Sequence, residues 1–108
     1  MSDPEKLATR VRSLLADRED VVERRMMGGL VFMVGGHMAC GVDAHGLMVR
    51  VGRDGYEDAL DEPDARVMDF TGRPMRGFVF ADVADAPDER LREWVMRGVA
   101  FVTTLPPK

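Results

Sequence analysis

Between residues 24 and 51, three short apolar runs are cut apart by glycine turns, and this segment, RRMMGGLVFMVGGHMACGVDAHGLMVRV, constrains the fold more than any other. Apolar residues occupy 30–34, the Gly35-Gly36 pair can supply the positive φ of a tight hairpin turn, and the chain returns through Met38, Cys40 and Val42. A second turn at Asp43-Ala44-His45-Gly46 leads into Leu47, Val49 and Val51, which alternate with Met48 and Arg50. The pattern predicts a three-stranded meander. Its central run is apolar in both parities: Leu30, Phe32 and Val34 form one row, Val31 and Met33 the other. One helix layer cannot cover both rows, so the second must meet a protein partner, a second copy of the chain, or a short helix elsewhere in the sequence.

Helical signals lie on either side. Ser2 and Asp3 can cap a helix with Pro4 in its first turn, and Leu7, Val11, Leu14 and Leu15 share one face, predicting a helix over about residues 4–17. Arg10, Arg12 and Arg18 fall off that stripe and read as solvated surface. After the meander, Tyr56, Ala59 and Leu60 have helical spacing until Pro63 stops them. Residues 66–70 and 77–83 suit strands, with turn chemistry at Thr71-Gly72-Arg73-Pro74 between them. A last helix is predicted with Asp85 as cap, Pro87 in its first turn, an apolar face of Leu91, Trp94, Val95, Gly98, Val99 and Val102, and Pro106-Pro107 beyond its end. Strands joined by tight turns are antiparallel, so these elements predict an α+β fold. In it the N- and C-terminal helices pack on one antiparallel sheet of about five strands.

Composition excludes several classes of function. A chain of 108 residues suits a single domain spanning 1–108. The net charge of -4 disfavours direct nucleic-acid binding, because neutralising phosphates needs a basic face. One cysteine cannot form an internal disulfide, and the start of the chain lacks the apolar core of a signal peptide, so a cytoplasmic location is expected. Nothing approaches the roughly 20 consecutive apolar residues of a membrane span.

No catalytic residue, metal ligand or cofactor site is expected. Gly28-Gly29 belongs to no phosphate-binding loop, and a structural role at the start of a strand is the expectation. His37 and Cys40 are three residues apart, which on a regular strand sends them to opposite faces, and His45 lies in the next turn. The acidic cluster Asp54, Glu57, Asp58, Asp61, Glu62 and Asp64 reads as a solvated face. Trp94 is expected in the core. The candidate partner-binding residues are therefore Val31 and Met33 on the second apolar row, with Arg24, Arg25, Arg73 and Arg76. Salt bridges to the nearby acidic segment are the plainest role for these arginines; contact with an acidic protein or nucleic acid is the alternative.

With those residues in view, the chain resembles the TfoX/Sxy family in its N-terminal domain. That family carries an Arg-x-Met-x-Gly-Gly-Leu motif before a similar meander. Anchored on Arg24, the corresponding stretch is Arg24-Arg25-Met26-Met27-Gly28-Gly29-Leu30, with Met27 where the family often has Phe. The similarity continues through Arg73-Pro74-Met75 and into Leu91-Arg92-Glu93-Trp94-Val95. The resemblance implies an α+β, secretion-chaperone-like fold and a non-enzymatic, regulatory or protein-interaction role, with links to bacterial competence and transcription. The family's competence regulators continue into a helical C-terminal domain that nothing after Lys108 supplies, so a stand-alone N-terminal domain is expected. Its partner would be another protein or a second copy forming a homodimer. The alternative is a nucleic-acid-binding regulator using the arginines.

Overall fold

The computed structural model describes residues 4–26, 28–69, 72 and 74–106. Helix α1 (Pro4–Leu14) precedes a meander of four strands, β1 (Val21–Met26), β2 (Gly29–Val34), β3 (His37–Asp43) and β4 (Gly46–Arg50). A short helix α2 (Tyr56–Leu60) leads to β5 (Ala65–Asp69), β6 (Pro74–Ala81) and the long helix α3 (Asp88–Val102). All pairings are antiparallel, in the order β1-β2-β3-β4-β6-β5. After β4 the chain passes through α2 to the far edge, and β6 returns between β5 and β4.

The α+β expectation holds, with six strands in place of about five. The additional strand is β1, whose Val-Val-Glu-Arg-Arg-Met sequence is charged in its middle and exposed along nearly its whole length. It is an edge strand with one hydrogen-bonded neighbour, and such strands tolerate charge that a central strand would not. Apolar patterning therefore carries no signal for it.

The three helices of the described residues lie on one side. Leu7, Ala8 and Val11 of α1, Ala59 of α2, and Leu91, Trp94, Val95, Val99 and Val102 of α3 bury against Phe32, Val34, Cys40, Val42, Leu47, Val49, Val79 and Ala81 of the sheet. Helix α3 crosses β3 and β4 closely at Gly98, where an added Cβ would overlap the carbonyl oxygen of Ala39 and lie 3.3 Å from Val49 Cγ1.

Several helix boundaries differ from expectation. Helix α1 ends at Leu14, with Leu15 buried in the turn that follows. The N-cap of α3 is Pro87 in an extended conformation, without a side-chain cap; Asp85 lies in the turn closed by Ala86 N–H donating to Val83 O. Helix α3 ends at Val102, before the prolines, with Thr103 as its C-cap. Arg10 is more than solvated surface, since its guanidinium donates to Ala84 O (2.8 Å), Ala86 O (2.6 Å) and Asp88 Oδ1 (2.9 Å), tying α1 to the start of α3. Ser2, Asp3, Met27, Thr71 and Pro107 lie outside the described residues. Among the described residues no helix is long and apolar enough to cross a membrane.

Candidate functional site

The second face of the sheet carries its own apolar cluster, built only from strand residues. Val31, Met48 and Met68 are fully buried there and Phe80 nearly so, with Met33, Met38, Met75 and Phe78 packed around them half-exposed. No helical residue belongs to this cluster, and α2 sits with α1 and α3 on the other side. These side chains exclude water by lying over one another.

Register explains how they meet. Residues paired across antiparallel strands point to the same face. One row therefore crosses the whole sheet: Arg24, Val31, Gly41, Met48, Phe80 and Arg66, one from each strand. Gly41 leaves room at its centre, because a Cβ there would stand 2.8 Å from Met48 Cε, 3.0 Å from the Leu30 carbonyl oxygen and 3.3 Å from Val31 Cγ2. The next row contains Met33 opposite Met38, and Arg50 opposite Phe78.

Two irregularities make this segregation work. Between Phe32-Cys40 and Met33-Met38 the register slips by one, leaving Ala39 as an extra residue of β3. His37 and Cys40 consequently lie on the same, helix-covered side, contrary to the opposite facing that regular alternation predicts. In β6, Gly77 adopts φ +95° and its carbonyl accepts from both Val51 N–H and Gly52 N–H, a second bulge. It sets Met75, Phe78 and Phe80 on the bare face and Arg76 beside α2.

Cations rim the bare face. The Arg66 guanidinium lies 5.3 Å from the Phe80 ring centroid, grips Asp82 through Nε and Nη2, and donates to His45 O. The His45 ring lies 5.7 Å from that of Phe80, tilted by 52°. Arg50 lies 5.8 Å from the Phe78 centroid and 5.5 Å from that of Phe101. At the β1 edge, Arg24 shares this face with Val22 and Met26, which are 54% and 42% exposed.

The candidate residues are thus dispersed. Val31 and Met33 do share the bare face, although Val31 is wholly buried and only Met33 is accessible. Arg24 joins them. Arg25 points to the other side, where it lines a recess with Pro4, Arg12, Gly29 and Leu30. Arg76 stands with Arg53, Tyr56 and Glu57 beside α2, and Arg73 lies outside the described residues. Arg24, Arg25 and Arg76 form no ion pair among the described residues, so none of these three makes the expected bridge to the acidic segment. Arg90 of α3 serves that segment instead. It donates to Glu62 (2.8 Å), Glu93 (2.6 Å) and Asp64, while Trp94 Nε1–H also donates to Asp64 (3.2 Å). The indole bond and Arg90 hold the Asp64 carboxyl below its ordinary range.

Gly28, Gly29 and Trp94 occupy structural positions. Gly28 has φ +73°, and a Cβ on Gly29 would overlap the Val42 carbonyl oxygen. Trp94 is in the helix-covered core, with the Arg97 guanidinium 4.7 Å from its ring. Cys40 is fully buried, and loss of hydration pushes its thiol pKa up to about 12, away from thiolate chemistry. His37 Nε2 lies 2.6 Å from Pro106 O; a carbonyl only accepts, so that nitrogen carries the proton. Among the described residues no three His, Cys, Asp or Glu side chains gather as metal ligands would.

Sequence reasoning missed Met68, Met75, Phe78 and Phe80 as members of the bare face. A signal existed: Met33, Met38, Met48, Met68 and Met75, five of the nine methionines, all fall in strands of this one surface, and none is in the helix-covered core.

The model of the TfoX N-terminal domain family matches residues 13–102, which include every strand and α3 to its last residue. No curated protein and no solved structure matches the chain.

Proposed function

The chain belongs to the TfoX N-terminal domain family, and from that premise we propose that it is a non-enzymatic interaction module, working in the cytoplasm and in regulation, that binds another protein through the bare face of its sheet. One observation carries this reading: an apolar cluster of Met33, Met38, Met75 and Phe78 stays partly exposed around a buried centre, with every helix on the opposite side. Contiguous apolar surface of this kind favours association, and methionine, unbranched and polarisable, adapts to irregular partners. The competence or transcription setting implied by the family resemblance would then be reached through that partner. The arginine-patch alternative gains no support from geometry, because Arg24, Arg25 and Arg76 occupy three separate surfaces.

The test is site-specific photo-crosslinking in the cells that make the protein. A photoreactive residue replaces Met38 on the bare face or, as control, Met96 on the outward side of α3, which is 40% exposed. Protein crosslinks from position 38 and not from 96 are expected. Equal yields, or crosslinks from 96 alone, would overturn the reading.

A further inference from the structure

Resting on the interaction reading above, the geometry points to an acidic amphipathic helix as the occupant: we propose that its apolar stripe lies on Met33, Met38 and Phe78 and its flanking carboxylates meet Arg24 and Arg50. Charge is distributed to favour such a partner. The chain has net charge -4, yet the bare face carries Arg24 and Arg66, and Arg50 stands at its border, between Phe78 of that face and Phe101 of α3. Its carboxylates are committed. Asp82 is gripped by Arg66, and Asp43, only 5% exposed, accepts from His45 N–H at 2.7 Å. Arg24 and Arg50 form no ion pair among the described residues, and the Arg50 guanidinium lies against two phenyl rings. Guanidinium groups poised in this way at the border of an apolar surface select partners by charge.

Dimensions agree. Six strands spaced about 4.8 Å apart make a face ~24 Å wide, and a helix with its side chains is about 10–12 Å across. A helix of three to four turns can therefore cover the methionines while long side chains on its flanks reach the rim. A second copy of the chain matches less well, since among the described residues it brings the same arginines and no uncommitted carboxylate on this face. Addition of a partner strand at the β1 edge would run along Glu23-Arg24-Arg25, where Glu23 is already bound by Arg12 at 2.6 and 2.7 Å.

Three helical peptides of about 18 residues, ~27 Å long, test the inference. They share one Leu/Phe stripe and differ only in having Glu, Gln or Lys on its flanks. Each is titrated into isotope-labelled protein by NMR. The Glu peptide is expected to shift the signals of Met33, Met38 and Phe78 and to bind at least ~10-fold more tightly than the Lys peptide, as charge complementarity at a rim requires. The advantage should shrink in ~0.5 M salt, where screening is strong. Arg24→Glu, at an exposed edge position that leaves the fold intact, should weaken the Glu peptide and strengthen the Lys peptide. Equal binding of all three peptides at this face would overturn the acidic partner and leave the interaction reading standing. Absence of binding in the millimolar range, with position 38 crosslinking only to a second copy, would also overturn it and make the face a self-interface. Absence of both binding and crosslinks would sink the interaction reading too.

Discussion

Val31 and Phe32 are neighbours in β2 and both are completely buried, yet Phe32 lies under helices and Val31 under the methionines of its own sheet. The buried core of the helix-covered side is Val, Leu and Ala with Cys40, Phe32 and Trp94, side chains with few rotamers, and at Gly98 it brings helix and strand backbones close together. The bare side uses methionine and phenylalanine over strands, with a glycine gap at its centre. Rigid packing on one side supplies stability and a fixed register. Soft packing on the other buries its centre while leaving a surface that can rearrange.

The sharpest way to break this contrast is Trp94→Ala. The substitution removes the largest buried side chain of the helix-covered core and its bond to Asp64, and should cost about 3–5 kcal/mol in a urea titration. A loss below ~1 kcal/mol would mean that this side is no more tightly packed than the other. Next is a pair of glycines. Gly98→Ala drives a Cβ into the Ala39 carbonyl and should cost about 1–3 kcal/mol, whereas Gly41→Ala meets the movable end of Met48 at 2.8 Å and the Leu30 carbonyl oxygen less closely, at 3.0 Å, and should cost less. The reverse order, measured by thermal unfolding, would contradict the assignment of rigid and soft sides.

Cys40 reports on the helix-covered side through pH. Its folded pKa, about 12, lies above the ordinary value of 9.0, so burial favours the neutral thiol. The stability tied to that thiol is complete below pH 9 and is lost as pH rises toward 12. The stability of the parent relative to Cys40→Ala should therefore decline above pH 9, and a thiol reagent should react only as fast as the chain opens. Parallel pH curves would place water beside Cys40. The smallest effect on folding belongs to Met33→Lys, within about 0.5 kcal/mol, because the long stem can stay on the face while its ammonium reaches water. The same variant should abolish crosslinking from position 38. Retained crosslinking would separate the face from the interaction.

Much of this was legible in the chain. The meander followed from period-two patterning and the Gly35-Gly36 turn, the N- and C-terminal helices from their apolar stripes, and the need for a second apolar environment from the two parities of residues 30–34. Strand β1 was not legible, since its alternation is masked by Glu23, Arg24 and Arg25 at an edge where one neighbour suffices. The separation of the candidate arginines was not legible either, because the pleat sends even the adjacent Arg24 and Arg25 to opposite sides. The facing of His37 and Cys40 failed for a related reason, because a single extra residue at Ala39 inverts every parity argument that crosses it.

The sequence by itself determined the elements, their antiparallel pairing and the surplus of apolar surface, because periodicity and turn chemistry act over a few residues. Only the tertiary structure decided which surface that surplus forms. Bulges at Ala39 and Gly77 and the insertion of β6 between β4 and β5 bring Met33, Met48, Met68 and Phe80, distant in the chain, onto one face. Register is a property of strand pairs, and no single strand's pattern contains it.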